Sequence, residues 1–303
     1  MIKIVVPAST SNLGPGFDTF GLALGLYNIF LVERHPSYRV CVIGEGTHLP
    51  RDTGNLMVMA YRMACSRWGV EEVPLKVIQI NRVPTARGLG SSATAIVGGI
   101  TACERIHNLR KRVEEKVEVA LELEPHPDNI LPALVGGLVV CAKGEEGISF
   151  VKLDFPEDLR VVVCVPSVEV STEEARRVLR GDVSLQDAVF NVQRSCLLLA
   201  SLMTRRYSLL KEAVKDRLHQ PYRSRLVPAM YTVMEEAYTA GALASFLSGS
   251  GPTVASLCQG NCEKVGQAMV RAFKKAGVEA KYMVLQVDRE GTRCHEDTDV
   301  GHR

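Results

Sequence analysis

Pro84-Thr85-Ala86-Arg87-Gly88-Leu89-Gly90-Ser91-Ser92-Ala93-Thr94-Ala95 lies between two apolar runs of different character. Before it, Val73 to Ile80 is short and rich in β-branched residues, as a largely buried strand should be. After it, Ala93 to Cys103 holds only small or apolar residues apart from Thr94 and Thr101, which suits a helix packed closely on a sheet. Glycines at 88 and 90 allow positive φ angles, so successive N–H groups can turn toward one point. That point is a helix N-terminus, where unpaired amides and the helix dipole attract negative charge. The Ser91 and Ser92 hydroxyls suit a phosphate or a Mg²⁺ that bridges phosphates. The G-x-G-S-S order is neither a dinucleotide fingerprint nor a Walker loop. A glycine-rich turn before a helix also serves simply as a tight corner, and the loop alone leaves both readings open.

A chain of 303 residues is long for one core and comfortable for two. The acidic linker around Pro156-Glu157-Asp158 places the boundary, giving one lobe over 1–155 and a second over 156–290. Residues 291–303 are charged and short of large apolar side chains, and read as a flexible tail. The 36 basic and 34 acidic residues, net +2, are scattered, which argues against a nucleic-acid partner. No apolar run reaches transmembrane length and the start has no signal-peptide layout, so a cytoplasmic protein without a membrane partner is expected. The nine cysteines fall mainly in apolar runs, as reduced buried thiols do. Cys258, Cys262, Cys294 and His295 are too irregularly spaced to read as a metal site.

The first strand is expected to end at Pro7. It is followed by a polar, glycine-rich segment carrying Asn12 and Asp18, which is either a wide loop or a ligand-holding one. Further strands over 21–32 and 39–43 imply an antiparallel sheet. Asp52-Thr53-Gly54-Asn55 starts a helix over 56–68 that Gly69 stops. Asn55 serves there as a cap, or its amide reads an adenine edge. A surface helix over 111–124 ends in Glu122 and Glu124, followed by the turn Pro125-His126-Pro127-Asp128-Asn129. Carboxylates beside a phosphate loop are sensible Mg²⁺ ligands, though helix ends often carry merely solvated charge. A strand over 136–142 closes the first lobe. In the second, a strand over 159–165 precedes a capping box of Ser171 and Glu174, with Thr172 in the first turn and Arg176 behind it. Helices are expected over 185–202, 209–218 and 230–240, with a basic loop containing Arg223 at 219–225. Two arginines from separate segments can clamp a carboxylate. A second glycine-rich turn, Leu247-Ser248-Gly249-Ser250-Gly251-Pro252-Thr253, parts strands over 244–247 and 254–258, and a helix over 261–276 and a strand over 280–287 follow.

Together the segments 7–18, 84–95 and 247–253 resemble the three motifs of the GHMP kinase superfamily across nearly the whole chain. The Asn12-Leu13-Gly14-Pro15-Gly16-Phe17-Asp18 form of the first motif, with His126-Pro127-Asp128-Asn129 and Pro132-Ala133-Leu134-Val135-Gly136-Gly137, is similar to the homoserine kinase family within it. The resemblance implies an α+β, two-lobed fold: an N-terminal lobe like domain 2 of ribosomal protein S5 and a ferredoxin-like C-terminal lobe. It also implies ATP bound between the lobes, Mg²⁺ and a homodimer. Residues 84–95 would cradle the triphosphate with Gly249, Ser250 and Gly251. Ser92 would touch Mg²⁺, Asn55 would meet adenine and Thr172 would approach the γ-phosphate. Asn12, Asp18, His126, Asn129, Arg176 and Arg223 would gather the acceptor. Arginines suit an α-carboxylate, Asp18 with Asn12 suits an α-ammonium, and Asn129 suits the side-chain hydroxyl.

The family commonly has glycine where this chain has Pro125. Proline removes an N–H and forbids positive φ, which leaves the metal carboxylate open between Glu124 and Glu122. Phosphoryl transfer to L-homoserine without a strong general base is the expected reaction, with Asp128 as the residue that tests the base-free account. The alternatives are a kinase for mevalonate or a related alcohol, and a catalytically silent ligand-binding member.

Overall fold

The computed structural model describes residues 1–145 and 147–296. The chain opens with β1 (Ile2–Ser11), β2 (Phe20–Arg34), β3 (Arg39–Gly44), α1 (Leu56–Trp68), β4 (Leu75–Asn81), α2 (Ser91–Ile106) and α3 (Val113–Leu121). Next come α4 (Pro127–Val135), β5 (Leu138–Gly144), β6 (Gly147–Leu153), β7 (Arg160–Pro166), α5 (Thr172–Arg177) and α6 (Leu185–Met203). It ends with α7 (Leu210–Ala213), α8 (Gln220–Arg223), α9 (Met230–Thr239), β8 (Ala244–Leu247), β9 (Val254–Cys258), α10 (Cys262–Lys275), β10 (Ala280–Leu285) and β11 (Arg293–Glu296). None of the described helices is long and apolar enough to cross a membrane.

Two sheets organise these elements. The larger runs β11-β1-β2-β4-β3, with β5 on β2 and β6 on β5. The long β2 makes this possible: Ile29–Arg34 pairs with β4 while Phe20–Leu22 pairs with β5. Helices α1 to α4 cover one face through Tyr61, Ile96, Ile100, Val117 and Leu131. The smaller sheet runs β10-β7-β9-β8, with α9 and α10 packed on it through Val233, Met269 and Phe273. A third apolar cluster, including Leu22, Leu24, Val161, Val163 and Leu198, joins the lobes. Burial at about 25 cal/mol per Å² makes such a seam cohesive.

Several elements depart from the sequence reading. Pro7 does not end β1; it sits where the β1–β2 register shifts, a bulge that accommodates a residue with no N–H. Strand β3 pairs with β4 in parallel, so the sheet is mixed. The turn at 125–129 gives way at Pro127 to a helix, α4, because proline's fixed φ is already helical at the first position. The helix expected over 209–218 shrinks to α7 with a preceding 3₁₀ turn. There the Asp216 carboxylate accepts from the N–H groups of Leu218, His219 and Gln220, drawing the backbone out of the helix. Finally, the reading of 291–303 as a loose tail is wrong for 293–296, which form β11 against the edge of β1. Residues 297–303 lie outside the described residues.

Candidate active site

A cleft of about 260 Å³ opens between the lobes. Its floor is the loop before α2, and the glycines there do two jobs. Gly88 and Gly90 have φ of 71° and 70°, a region costly for residues with a Cβ. A Cβ at Gly88 would also run into the Ser248 carbonyl, and one at Gly90 into Ser9 Oγ. Gly90 is the N-cap of α2, so the first amides of that helix face the cleft beside Ser91 and Ser92. The loop is braced from both lobes: from the first, Ser9 N donates to the Leu89 carbonyl at 3.2 Å, and the rest comes from the second. Ser248 Oγ donates to the Gly88 carbonyl at 2.6 Å, and Arg87 donates to the carbonyls of Pro166 and Ser167 and pairs with Glu169.

A second cavity, of about 310 Å³, lies on the other side of the same loop and shares Ala86, Ser91 and Ser92 with the cleft. Asn55 borders it as the N-cap of α1, but its amide is heavily used. Asn55 Oδ1 accepts from Met57 N and Gln79 Nε2, and Nδ2 donates to the Pro50 carbonyl. Asn81 borders it too, donating from Nδ2 to the Glu45 carbonyl, while its buried Oδ1 has no partner. An orphaned buried acceptor on a cavity wall is costly unless a ligand supplies a donor. No motif in the sequence marks Asn81; only folding exposes the missing bond. Pro84, Thr85 and Ala95 border neighbouring cavities rather than the cleft, and Thr94 is buried, donating to the Ser91 carbonyl.

The acceptor end is built mainly from the first motif, α4 and α5. Asn12 Nδ2 donates to the Gly249 carbonyl at 3.0 Å and Oδ1 accepts from Asp18 N, so Asn12 fastens the first motif to the third. Ser9 Oγ donates to Asn129 Oδ1 at 2.9 Å, and Asn129 Nδ2 donates to Ser11 Oγ at 3.0 Å. These two serines hold the Asn129 amide in place, a role the sequence reading did not assign. Arg176 and Asp18 pair directly at 2.6 Å, and Arg176 Nε is buried without a partner. The guanidinium groups of Arg176 and Arg223 each lie 5.2 Å from the Phe17 ring centroid. Arg223 is buried, not part of a solvated loop. It donates to the carbonyls of Gly249 and Ala175, and burial, then Arg176, lower its pKa to about 10, so it stays cationic at neutral pH.

Asp128 also borders the cleft. Burial first, then the nearby Asp18 charge, raise its pKa to about 6. Glu124 and His126 lie alongside, with His126 Nδ1 and Glu124 Oε1 2.6 Å apart. Thr172 opens α5 on the cleft's far wall, and Gly249 and Ser250 enter it from the third motif. Gly251 does not line the cleft; its N–H closes the turn onto the Ser248 carbonyl. Glu122 is not brought to the cleft either: it pairs with Arg67 at 2.8 Å on the outer surface. Of the two candidate carboxylates only Glu124 therefore lines the cleft, together with Ser92.

The model of the GHMP kinases N terminal domain matches residues 55–137, and that of the GHMP kinases C terminal domain matches 198–275. The homoserine kinase of Aquifex aeolicus is 52% identical over 97% of this chain and all of its own length. That of Persephonella marina is 45% identical over 96% of this chain and 97% of its own. The crystal structure of homoserine kinase from Cytophaga hutchinsonii superposes with a TM-score of 0.87 at 29% identity, covering 97% of each chain. The three motifs meet at one cleft, both domain models match, and near full-length relatives of high identity share one description, so this chain belongs to the GHMP kinase superfamily and, within it, to the homoserine kinases.

Proposed function

We propose that the cleft transfers the γ-phosphoryl group of ATP to the side-chain hydroxyl of L-homoserine, giving O-phospho-L-homoserine for threonine synthesis. The carrying observation is the Arg176–Asp18 pair facing the cleft beside buried Arg223. A zwitterion exchanges with such a pair at no net charge: its α-carboxylate takes the arginines and its α-ammonium takes Asp18. Mevalonate has no ammonium and would leave Asp18 facing its carboxylate. The orphaned Arg176 Nε adds a donor that a forked carboxylate contact satisfies.

The nucleotide spans the two cavities that meet at Ser91 and Ser92, with adenine beside Asn55 and Asn81 and the phosphates against the amides of residues 88–92. Asn81 Oδ1 supplies an acceptor for the adenine amino group. Ser92 and Glu124 would hold Mg²⁺, which when bound neutralises phosphate charge and aligns the transferring group. Asn129, fixed by Ser9 and Ser11, orients the acceptor hydroxyl, and Thr172 caps the γ-phosphate from the opposite lobe. For a loose transition state, positioning and charge neutralisation supply most of the rate, so the mechanism needs no strong base. Homodimerisation and a cytoplasmic setting belong to the same proposal.

The ammonium contact is tested with 4-hydroxybutanoate, which keeps the carboxylate and hydroxyl but lacks the amine. Wild type should favour L-homoserine in kcat/KM by at least about a hundredfold, consistent with loss of a charge-assisted contact of about 3 kcal/mol. Asp18→Asn should lose most of that preference. Equal use of both compounds by wild type would remove the role of Asp18.

A further inference from the structure

Away from the cleft, at the opposite ends of α1 and α2, three soft donors converge. Cys65 of α1 lies with its Sγ 3.5 Å from Cys103 Sγ and 3.9 Å from His107 Nε2. Cys103 and His107 are four residues apart, on one face of the end of α2. The three donor atoms all lie within 4.8 Å of one another. Both thiols are buried while the imidazole is partly exposed, its ring stacked on Tyr61.

We propose that Cys65, Cys103 and His107 form a binding site for a thiophilic divalent cation of the zinc class. Tetrahedral zinc with bonds of about 2.3 Å to sulfur and 2.0 Å to nitrogen needs S–S separations of about 3.8 Å and S–N separations of about 3.5 Å. The two separations from Cys65 Sγ, 3.5 and 3.9 Å, differ from these by a few tenths of an ångström, and the third, between Cys103 Sγ and His107 Nε2, is within 4.8 Å; side-chain rotations close the set around an ion. Charge favours the site as well. Two thiolates and one neutral imidazole balance a dication, so the occupied cluster is neutral and its burial between helices carries little Born penalty. The open side at His107 leaves the fourth position to water. Binding releases the two thiol protons to solvent and changes no oxidation state.

The site lies where a clamp has leverage. Asn55 begins α1 and Ser91 begins α2 at the nucleotide cavity, and the metal would tie the same two helices at their far ends. This role is independent of the reaction proposed above, and its test does not use turnover.

Full-length protein, reduced and metal-free, is titrated with Co²⁺ under argon. The expected result is one equivalent bound, with intense tetrahedral visible bands and thiolate-to-cobalt charge transfer in the near ultraviolet. Zn²⁺ should bleach both signals and raise the thermal midpoint. Cys65→Ala, Cys103→Ala and the double variant should lose the charge-transfer band, and His107→Ala should weaken binding. Metal-free midpoints of the variants separate lost binding from lost folding. Absence of cobalt uptake by wild type with both thiols reduced overturns the proposal, as does a charge-transfer band that survives in a folded double variant.

Discussion

Asp128 carries the most displaced carboxylate of the cleft, and its environment makes two claims at the scale of one residue. Burial and the Asp18 charge keep its proton to about pH 6 in the folded chain, whereas an unfolded aspartate releases it near its ordinary value of about 3.9. Between those values the folded state binds more protons, so this group's contribution to stability falls as pH rises through about 4 to 6. Asp128→Asn should remove that slope. Above pH 6 the variant should gain up to about 3 kcal/mol, the free-energy equivalent of roughly two pKa units, in urea melts at pH 4.5 and 7.5. A wild-type slope retained in the variant would assign it to another group. The same variant probes the chemistry: on the base-free account it keeps measurable turnover with both substrates bound, whereas abolished turnover with intact binding makes Asp128 the base. The sequence showed Asp128 in a polar turn but not its pKa, because its burial, the Asp18 charge and the opposing Ser11 hydrogen bond all arise from tertiary packing. Arg223 shows the same limit. Its residue type and position were legible, yet its burial against Phe17 and Gly249 is a tertiary fact.

At the scale of elements, local signals were read where they are self-contained. Asn55 and Gly69 bound α1 as their cap chemistry dictates, with Gly69 at φ 64°. Ser171 Oγ accepts from Glu174 N at the start of α5. The misreadings arise where long-range partners decide. α4 hides behind two prolines, β11 is short and charged and gains its strand form only from the β1 edge, and the segment at 209–218 is undone by Asp216. The phosphate loop combines both kinds of constraint. Gly88→Ala adds a Cβ against the Ser248 carbonyl at a positive φ, and the backbone atom it meets cannot rotate away. The loop should shift off its brace, with kcat/KM falling by at least about a hundredfold, the scale expected of a 1 Å misplacement. The strained φ should cost about 1–3 kcal/mol of stability. Kinetics and melts on the purified variant measure both, and near wild-type turnover would detach the loop from the phosphates.

On the whole-molecule scale, the two-lobed α+β organisation was legible from length, the acidic linker and three spaced motifs. How the end of the chain returns to the first lobe was not. After β10 it crosses back: Asp288 N donates to the Ala23 carbonyl, the Asp288 carboxylate accepts from Arg293, and β11 covers β1. Truncation after Glu290 should therefore expose an edge strand and lower the thermal midpoint by several degrees, with concentration-dependent aggregation. A truncated chain with an unchanged midpoint would show that β11 adds nothing.

Phosphoryl transfer to L-homoserine is measured by an ADP-release assay across L-homoserine, mevalonate and shikimate with ATP and Mg²⁺, with the product identified by phosphorus NMR. The expected result is robust release with L-homoserine alone and a single new phosphomonoester, O-phospho-L-homoserine. Silence with L-homoserine, or a higher kcat/KM with mevalonate, would contradict it.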